Sequence, residues 1–425
     1  MLELTAIRTN PDEIKKRLSV KNFAHLNLID TVVALDEKRK TIQHALDAAL
    51  GQINSLSKEV GDAFKSGRKE EAEQLKAQST AIKETVNQLE QEAKQNEIDL
   101  HEALVQLPNL PHQSVPVGKT PEDNEVVYSH GNLPDLPEHA VPHWDLAHKY
   151  RLIDFELGVK ITGAGFPVYI GKGAQLQRAL INFFLKEATA AGYLEMQVPH
   201  VVNEDSAYAT GQLPDKEGQM YHVGADGFYL IPTAEVPLTN IFRDEIIKEE
   251  DLPVKVCGYT PCFRREAGSY GKDVRGLNRL HQFDKVEIVQ IQHPDKSYDT
   301  LETMVQHVSG LLKQLQLPFR ILRLCGGDMS FASALTYDFE VYSAAQKRWL
   351  EVSSVSNFET FQTNRLKLRF KDSETKKNKL LHSLNGSALA LPRIVAALLE
   401  NNQTQTGIAI PEVLRAYTGF DKIGD

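Results

Sequence analysis

The sequence predicts an α+β fold, in which a long antiparallel helical hairpin precedes a domain with a mainly antiparallel β-sheet flanked by helices. Between about residues 28 and 107, apolar residues recur at alternating steps of four and three, as in coiled-coil helices. After Tyr150, short strand-like segments alternate with helix-period segments, and neighbouring strands can pair across turns, as at 264–283. This pattern favours α+β over a doubly wound parallel sheet.

Length and composition are those of a globular protein with more than one domain. The 425 residues can bury a sizeable core, and the formal net charge of -9 argues only weakly against a nucleic-acid partner, because a local basic patch still binds phosphate. Three cysteines provide no disulfide framework and are typical of a reducing compartment. Without a signal core or a bilayer-length apolar run, we expect a cytoplasmic protein with no membrane association.

The hairpin consists of two heptad segments separated by a break at 64–68, which contains Gly67. Each arm would be roughly 50 Å long at a rise of 1.5 Å per residue, and Pro108 ends the second one. The heptad positions are Leu28, Val32, Leu35, Arg39, Ile42, Leu46, Ala49, Ile53, Leu56 and Val60, then Leu75, Ser79, Ile82, Val86, Leu89, Ala93, Asn96, Leu100, Ala103 and Leu107. Such a hairpin is too narrow to enclose a pocket, so it either dimerises or reaches a distant partner.

Charge is distributed unevenly along this hairpin, with bases near its turn and acids toward its base. We call the basic residues the tip cluster: Lys58, Lys65, Arg68, Lys69 and Lys76. Heptads alone favour dimerisation, whereas a basic tip on an acidic arm favours phosphate contact, although many such clusters are only solvated helix faces. Residues 1–108 are predicted to form the first domain, 109–150 a linker with turns, and 151–425 the second domain.

The stretch CFRREAGSYGKDVRGLNRLHQFDKVEIVQ, residues 262–290, has the most chemically informative pattern, with a strand, a glycine-rich loop and a second strand. Four arginines flank the loop: Arg264, Arg265, Arg275 and Arg279. Arginine grips phosphate with two parallel hydrogen bonds, and Phe283 offers a ring for a purine. Phe283, Lys285 and Glu287 share one strand face. A surface hairpin with ion pairs is the alternative, but the combination favours a nucleotide site.

Other site signals are incomplete. Gly118-Lys119-Thr120 ends like a phosphate loop, but Gln113 stands where a Walker motif has its first glycine. Cys257 and Cys262 lack a second thiolate pair, so no zinc site is expected.

Residues 260–287 resemble motif 2 of class II aminoacyl-tRNA synthetases, and specifically that of the seryl-tRNA synthetase family. Further segments resemble that family's serine-side loops (209–214 and 230–235), its ATP and metal strand (351–358), motif 3 (384–393) and motif 1 (176–199). The hairpin is similar to the arm with which the family holds the long variable arm of its tRNA. The similarity covers essentially the whole chain.

The resemblance implies a class II catalytic domain that activates L-serine with ATP and transfers it to the 3′ end of tRNA(Ser). It leaves charging of tRNA(Sec) open and implies Mg²⁺ with ATP, a homodimer through motif 1, and tRNA contacts at the tip cluster. A class II-like enzyme that loads a carrier protein would lack the long arm. A non-enzymatic protein on a dead ligase fold would not be expected to retain Arg264, Arg279, Glu351 and Arg393.

The same resemblance assigns residues to roles. Arg264 and Arg393 are the implied catalytic residues, and Arg264 would bridge the serine carboxylate and the α-phosphate. The implied ATP-binding residues are Arg264, Arg265, Glu266, Arg279, Phe283, Glu351, Val352, Ser353, Ser354 and Arg393, with Glu351 and Ser354 also as Mg²⁺ ligands. The implied serine-binding residues are Thr233, Ala234, Glu235, Glu287 and Ser387.

Motif 3 departs from the family pattern. The family usually has a sequence like NGSGLAVGR, whereas this chain has NGSALALPR, with Ala388 and Pro392 in place of glycines. Arg393 is retained, and proline near a helix start is favourable, so the phosphate contact should survive even if the backbone that enters the helix differs.

Overall fold

The computed structural model describes residues 1–215, 217–266 and 275–424. They form two compact units. The helical unit comprises Leu2–Ser19 and Phe23–Pro108, and the sheet unit comprises Met1, Val20–Asn22 and the chain from Asn109 onward. In these described ranges, none of the helices combines the length and the apolar character needed to cross a membrane.

The helical unit contains α1 (Leu4–Thr9), α2 (Pro11–Val20), α3 (Leu28–Lys65) and α4 (Lys69–Val105). Helices α3 and α4 pack against each other along their length as the predicted hairpin, which is confirmed. Gly67 provides the positive φ of 76° at the turn. Across the seam, the Asn96 side-chain amide donates to the Leu35 carbonyl at 3.1 Å, and a polar group at such a position specifies the register.

The main sheet has eight strands in the order β1-β11-β12-β13-β16-β10-β9-β4, and all its neighbours are antiparallel except β4 and β9. The strands of the sheet unit are β1 (Glu125–His130), β2 (Ile153–Asp154), β3 (Val168–Tyr169), β4 (Leu194–Glu195), β5 (Val201–Val202), β6 (His222–Val223), β7 (Phe228–Leu230), β8 (Ile246–Lys248), β9 (Val254–Phe263), β10 (Gln282–Gln292), β11 (Phe319–Arg323), β12 (Leu335–Ser343), β13 (Arg348–Asn357), β14 (Arg369–Lys371), β15 (Asn378–Leu380), β16 (His382–Ala390), β17 (Gly407–Ala409) and β18 (Lys422–Gly424). The predicted, mainly antiparallel sheet is therefore confirmed.

Helices surround this sheet. They are α5 (His143–Lys149), α6 (Phe155–Ile161), α7 (Lys172–Ala190), α8 (Glu204–Thr210), α9 (Glu235–Asn240), α10 (Ser297–Gln314), α11 (Thr360–Leu366), α12 (Leu391–Asn401) and α13 (Glu412–Thr418). Helices α7, α10 and α12 contribute apolar faces to one continuous core, which includes Phe183, Phe184 and Phe339. Burying each such side chain contributes about 1.5–3 kcal/mol, so this core fixes the strands that carry the site.

Residues 109–150 differ from the expected linker. Strand β1 pairs antiparallel with β11 at the edge of the main sheet, and α5 begins with the fully buried His143. All the side chains of β1 are exposed, so the strand lacks the alternation of apolar and polar residues that sequence reasoning relies on. The structure includes the whole of this segment in the sheet unit.

Candidate active site

A buried polar cluster forms where α9 begins beside β10 and β16. Thr233, Ala234 and Glu235 lie at the start of α9, and the hydroxyl of Thr233 donates to the Glu287 carboxylate at 3.2 Å. Glu287 and Ser387 are direct neighbours on adjacent strands. All five residues are buried, so the structure brings the predicted serine-site residues together.

Two further side chains complete the polar contacts of this cluster. Lys285 Nζ lies 2.5 Å from Glu287 Oε2, and the Gln362 amide donates to Glu235 Oε1 at 2.6 Å. Burial, and then the nearby charge of Glu287, raise the pKa of Glu235 to about 7. The pocket therefore holds two carboxylates against one lysine, which suits a ligand that carries an ammonium group and a hydroxyl.

Arg264 lies beside this pocket at the end of β9. Its guanidinium is 5.2 Å from the centre of the Phe283 ring, and its Nε donates to the Pro232 carbonyl at 3.4 Å. The charge of Arg264 also acts to lower the pKa of Glu235. One arginine thus lies over the aromatic ring and also acts on a carboxylate of the buried polar cluster.

The two ends of the predicted glycine-rich loop can be described, whereas residues 267–274 lie outside the described ranges. At the first end, Glu266 forms an ion pair with Arg279, which belongs to the second end. The backbone amide of Arg265 donates to the Gln219 carbonyl at 2.9 Å, so this residue is bonded to the segment that precedes β6. Arg275 lies over the Trp144 ring, with its guanidinium 4.6 Å from the ring centre.

Arg393 connects motif 3 to strand β13. Its Nη1 donates to the Glu351 carbonyl at 2.7 Å, and its Nε donates to the Asn278 carbonyl at 3.2 Å. The preceding strand β16 shifts register against β10, where Leu389 has a φ of 144°. Pro392 occupies the first turn of α12, as expected for a proline near a helix start. The substituted motif 3 thus still delivers Arg393 to the loop residues and to β13.

The remaining predicted residues of β13 have different environments. Val352 is buried, and the Ser353 hydroxyl donates to the Ser387 carbonyl at 2.6 Å, which joins β13 to the buried polar cluster on β16. Ser354 pairs across the strands with Asp338 of β12. Glu351 and Ser354 therefore lie near the Asp338 carboxyl, whereas the Ser353 hydroxyl is hydrogen-bonded to a backbone carbonyl.

Sequence reasoning missed Asp338 as a site residue. Its Oδ1 is shielded from solvent without a hydrogen-bond partner among the described residues. Burial, and then the charge of Glu351, raise its pKa well above the usual range. A carboxylate in this state fits a nearby cation, and with Glu351 and the Ser354 hydroxyl it forms the hard oxygen set that Mg²⁺ prefers. In the part of the chain that the structure describes, His, Cys, Asp and Glu side chains form no cluster of three or more that could hold a metal.

Lys285 and Gln362 were also absent from the predicted set. Strand alternation places Lys285 on the same face as Phe283 and Glu287, so its position could have been predicted. Its burial could not, because a lysine is seldom buried. Gln362 lies on α11, 127 residues beyond its partner Glu235, and no local pattern indicates the contact.

Two protein-family models match this chain. The model of the seryl-tRNA synthetase N-terminal domain matches residues 1–111, and that of the tRNA synthetase class II core domain (G, H, P, S and T) matches residues 221–402. A protein of Salinibacter ruber named serine–tRNA ligase is 51% identical over 100% of this chain and 99% of its own length. The chain belongs to the seryl-tRNA synthetase family. The family predicted from the motifs is confirmed.

Solved structures of this family also match along the whole chain. The seryl-tRNA synthetase of Pyrococcus horikoshii, in complex with ATP, is 32% identical, with a TM-score of 0.94 over 100% of this chain and 99% of that one. The cytoplasmic serine–tRNA ligase of Naegleria fowleri, in complex with AMP, is 28% identical, with a TM-score of 0.89 over 100% and 99%. The helical hairpin and the sheet domain are therefore features of the family.

Proposed function

We propose that this protein is a serine–tRNA ligase that forms seryl-adenylate and pyrophosphate from L-serine and ATP, and then transfers serine to tRNA(Ser). The observation that carries the proposal is the buried polar cluster of Thr233, Glu235 and Glu287, on which the charge of Arg264 acts from its position over the Phe283 ring. Membership of the seryl-tRNA synthetase family supports it independently.

In the first step, the carboxylate of serine is already the nucleophile, so the site needs to align it with the α-phosphorus and stabilise the developing charge. Arg264 would serve both tasks, because its guanidinium lies over the Phe283 ring, on which adenine would stack, and its charge acts on the Glu235 carboxyl. Glu266 would read the adenine amino group. The β- and γ-phosphates would be held by Arg279 and Arg393.

Mg²⁺ would neutralise phosphate charge when bound with ATP. Glu351 and Ser354 would hold it, with Asp338 beside them as a further oxygen donor. Arg393 lies against the same strand through the Glu351 carbonyl, so arginine and metal ligands would face the phosphates from one side.

Selection of serine follows from the hydrogen-bonding groups of the pocket. Glu235 would pair with the amino group, while Thr233, Glu287 and Ser387 would contact the hydroxyl. Alanine lacks the hydroxyl and would leave these buried polar groups unpaired, so we expect the site to reject alanine strongly. Threonine adds a single methyl group, whose exclusion is worth roughly 1–3 kcal/mol unless the wall is rigid.

In the second step, the terminal ribose 3′ hydroxyl of tRNA would attack the adenylate carbonyl. We propose residues 1–108 as a tRNA-binding domain, with the tip cluster as its phosphate contact, and 151–425 as the catalytic domain. The length of the two arms, 38 residues in α3 and 37 in α4, supports this, since they offer an extended surface to a large partner. Charging assays with tRNA(Ser) and tRNA(Sec) side by side decide whether the second is also a substrate.

We also propose a cytoplasmic homodimer. Val159 and Ile161 of α6 are 56% and 70% exposed, and an apolar surface of this kind suits a subunit interface. Val159 also borders a cavity of about 300 Å³ that is lined in part by Glu266 and Arg279, so a second copy would close space next to the arginines. The three buried free thiols suit a reducing compartment. Light scattering of the wild type and of Ile161→Asp tests the dimer.

Serine-dependent exchange of pyrophosphate into ATP, measured with each amino acid in turn, tests the activation step. We expect exchange with serine only, and its abolition in Arg264→Ala. Arg415→Ala is the matched control, because Arg415 is an exposed arginine on α13 to which no role is assigned. Near-normal exchange in Arg264→Ala would remove Arg264 from the reaction centre.

Deletion of residues 30–105 tests the tRNA-binding domain. We expect seryl-adenylate formation to be retained and charging of tRNA(Ser) to be abolished, because the arm is proposed to contact only the tRNA. Equal loss of both steps would mean that the hairpin serves the structure of the enzyme instead.

A further inference from the structure

A fully buried histidine–glutamate pair joins α5 to α12, outside the residues assigned to substrates above. His143 is the first residue of α5, and Glu400 lies near the end of α12. Nδ1 of His143 is 2.7 Å from Oε1 of Glu400, and both side chains have an exposed fraction of 0%. The backbone amide of His143 donates to the same oxygen at 2.9 Å.

The hydrogen bonds around this pair determine its protonation pattern. The backbone amide of Leu277 donates to His143 Nε2 at 2.8 Å, so Nε2 is an acceptor and the proton of the neutral ring is on Nδ1, facing Glu400. Ser343 and Gln346 also donate to the Glu400 carboxylate. Burial acts to raise the pKa of Glu400, but these hydrogen bonds, chiefly from His143 and Ser343, outweigh it and hold the pKa below its usual value.

His143 holds the described segment that follows the motif 2 loop. Besides receiving the Leu277 amide, its ring leaves no room for a side chain at residue 276, where a Cβ would lie 2.3 Å from Nε2. Gly276 also has a φ of 63°, which favours glycine. Asn278 donates to the side-chain oxygen of Gln346 at 3.1 Å, and Gln346 donates to Glu400 at 2.9 Å. Two hydrogen-bonded routes therefore connect Glu400 to this segment.

Both routes lead to Leu277 and Asn278, which lie next to the arginines proposed to bind the triphosphate. Arg279 directly follows Asn278, and Arg393 donates to the Asn278 carbonyl at 3.2 Å. Arg393 also lies in the same helix as Glu400, about two turns earlier. A movement of residues 276–278 would thus displace Arg279 through the chain and Arg393 through its hydrogen bond.

We propose that His143 and Glu400 are positioning residues, which hold residues 276–278 so that Arg279 and Arg393 meet the β- and γ-phosphates of ATP. The inference rests on the proposed function, since it takes the phosphate contacts of these arginines from there. It concerns the terminal phosphates alone, so a nucleoside monophosphate should be bound independently of the pair.

The test compares ATP with AMP in the full-length enzyme. In His143→Phe, which retains a ring but has no ring nitrogen, we expect the Kd and KM of ATP to rise about tenfold, because misplacement of binding groups by ~1 Å carries penalties of this order or larger. The Kd of AMP and the KM of serine should stay within about twofold of wild type, which corresponds to about 0.4 kcal/mol. His143→Gln, which keeps a donor and an acceptor, should recover part of the ATP affinity.

Gln346→Leu provides a second variant on a half-buried turn, in case His143→Phe fails to fold, and it should weaken ATP binding while leaving AMP binding unchanged. Unchanged ATP affinity in folded variants, or an equal loss of ATP and AMP affinity, would overturn the inference. Arg279→Ala separates this failure from that of the proposed function. If it also leaves ATP binding intact, the phosphate assignment itself is wrong, whereas if it alone weakens ATP binding, only the role of His143 and Glu400 falls.

Discussion

The side-chain amide of Gln362 donates to the carboxylate of Glu235 at 2.6 Å, inside the sheet unit. Gln362 also donates to the Thr210 carbonyl at 3.1 Å and accepts from the Ser383 hydroxyl at 2.7 Å, so its own orientation is determined. It therefore fixes the position of the carboxylate proposed to receive the amino group of serine. Burial nevertheless raises the pKa of Glu235 to about 7, near the pH at which the enzyme would work.

The first prediction is that the kcat/KM for serine rises between pH 6 and pH 8. Only ionised Glu235 attracts the serine ammonium group, and below a pKa of about 7 the ionised fraction falls about tenfold per pH unit. Pyrophosphate exchange at limiting serine measures this profile. In Glu235→Gln the activity should be low and lack this rise, whereas a flat profile in the wild type would mean that Glu235 stays ionised throughout.

The second prediction concerns the stability cost of the same carboxylate. Because the folded-state pKa of about 7 lies above the ordinary glutamate value of 4.5, Glu235 favours folding when protonated, and that contribution is lost as the pH rises through 7. Without serine, Glu235→Gln should therefore raise the free energy of unfolding at pH 8 by up to roughly 3 kcal/mol. Urea unfolding should show this gain shrinking toward pH 5, and an equal gain at both pH values would point to a cause other than ionisation.

The third prediction is that Glu351→Gln raises the Mg²⁺ concentration required for half-maximal exchange by at least about tenfold, since even outer partners of metal ligands change affinity by 10–100-fold. Titration of Mg²⁺ at constant ATP measures it. Glu340→Gln is the matched control, because Glu340 is the cross-strand neighbour of Glu351 but is held by Arg320 at 2.5 Å. Identical shifts in the two variants would indicate a general charge effect rather than a metal ligand.

The fourth prediction separates the members of the tip cluster. Arg68 and Lys76 form ion pairs with Glu71 and Glu73 at 2.8 and 2.9 Å, whereas the other three lysines are exposed and form no ion pair with any described residue. Combined replacement of Lys58, Lys65 and Lys69 by alanine should therefore weaken tRNA binding most.

Binding measured across salt concentrations checks this fourth prediction. The slope of log K against log salt should fall by roughly one unit for each lysine that no longer neutralises a phosphate, and pyrophosphate exchange should be unchanged. Lys94→Ala, an exposed lysine farther along α4, is the control. An unaltered slope in the triple variant would show that these lysines do not contact the tRNA.

The helical hairpin was predictable because its signal is local. A heptad repeat reports which residues share a helix face, so both arms and the turn near Gly67 could be read from the chain. Motif 2 was also readable, because its arginines lie in the sequence between two paired strands and Phe283 and Glu287 follow directly on the second strand. Strand β1 was not predicted, because all its side chains are exposed and such an edge strand lacks the alternation of apolar and polar residues that indicates a strand.

The partners of the proposed site residues were decided by tertiary folding alone. Glu235 and Gln362 are 127 residues apart, and His143 and Glu400 are 257 residues apart, so no periodicity connects them. The proximity of the Asp338 carboxyl to Ser354 and to the charge of Glu351 likewise follows from the register of β12 on β13. Residue types and short spacings thus indicated the chemistry, whereas the packing of distant segments determined which groups are buried together, and therefore their pKa values and orientations.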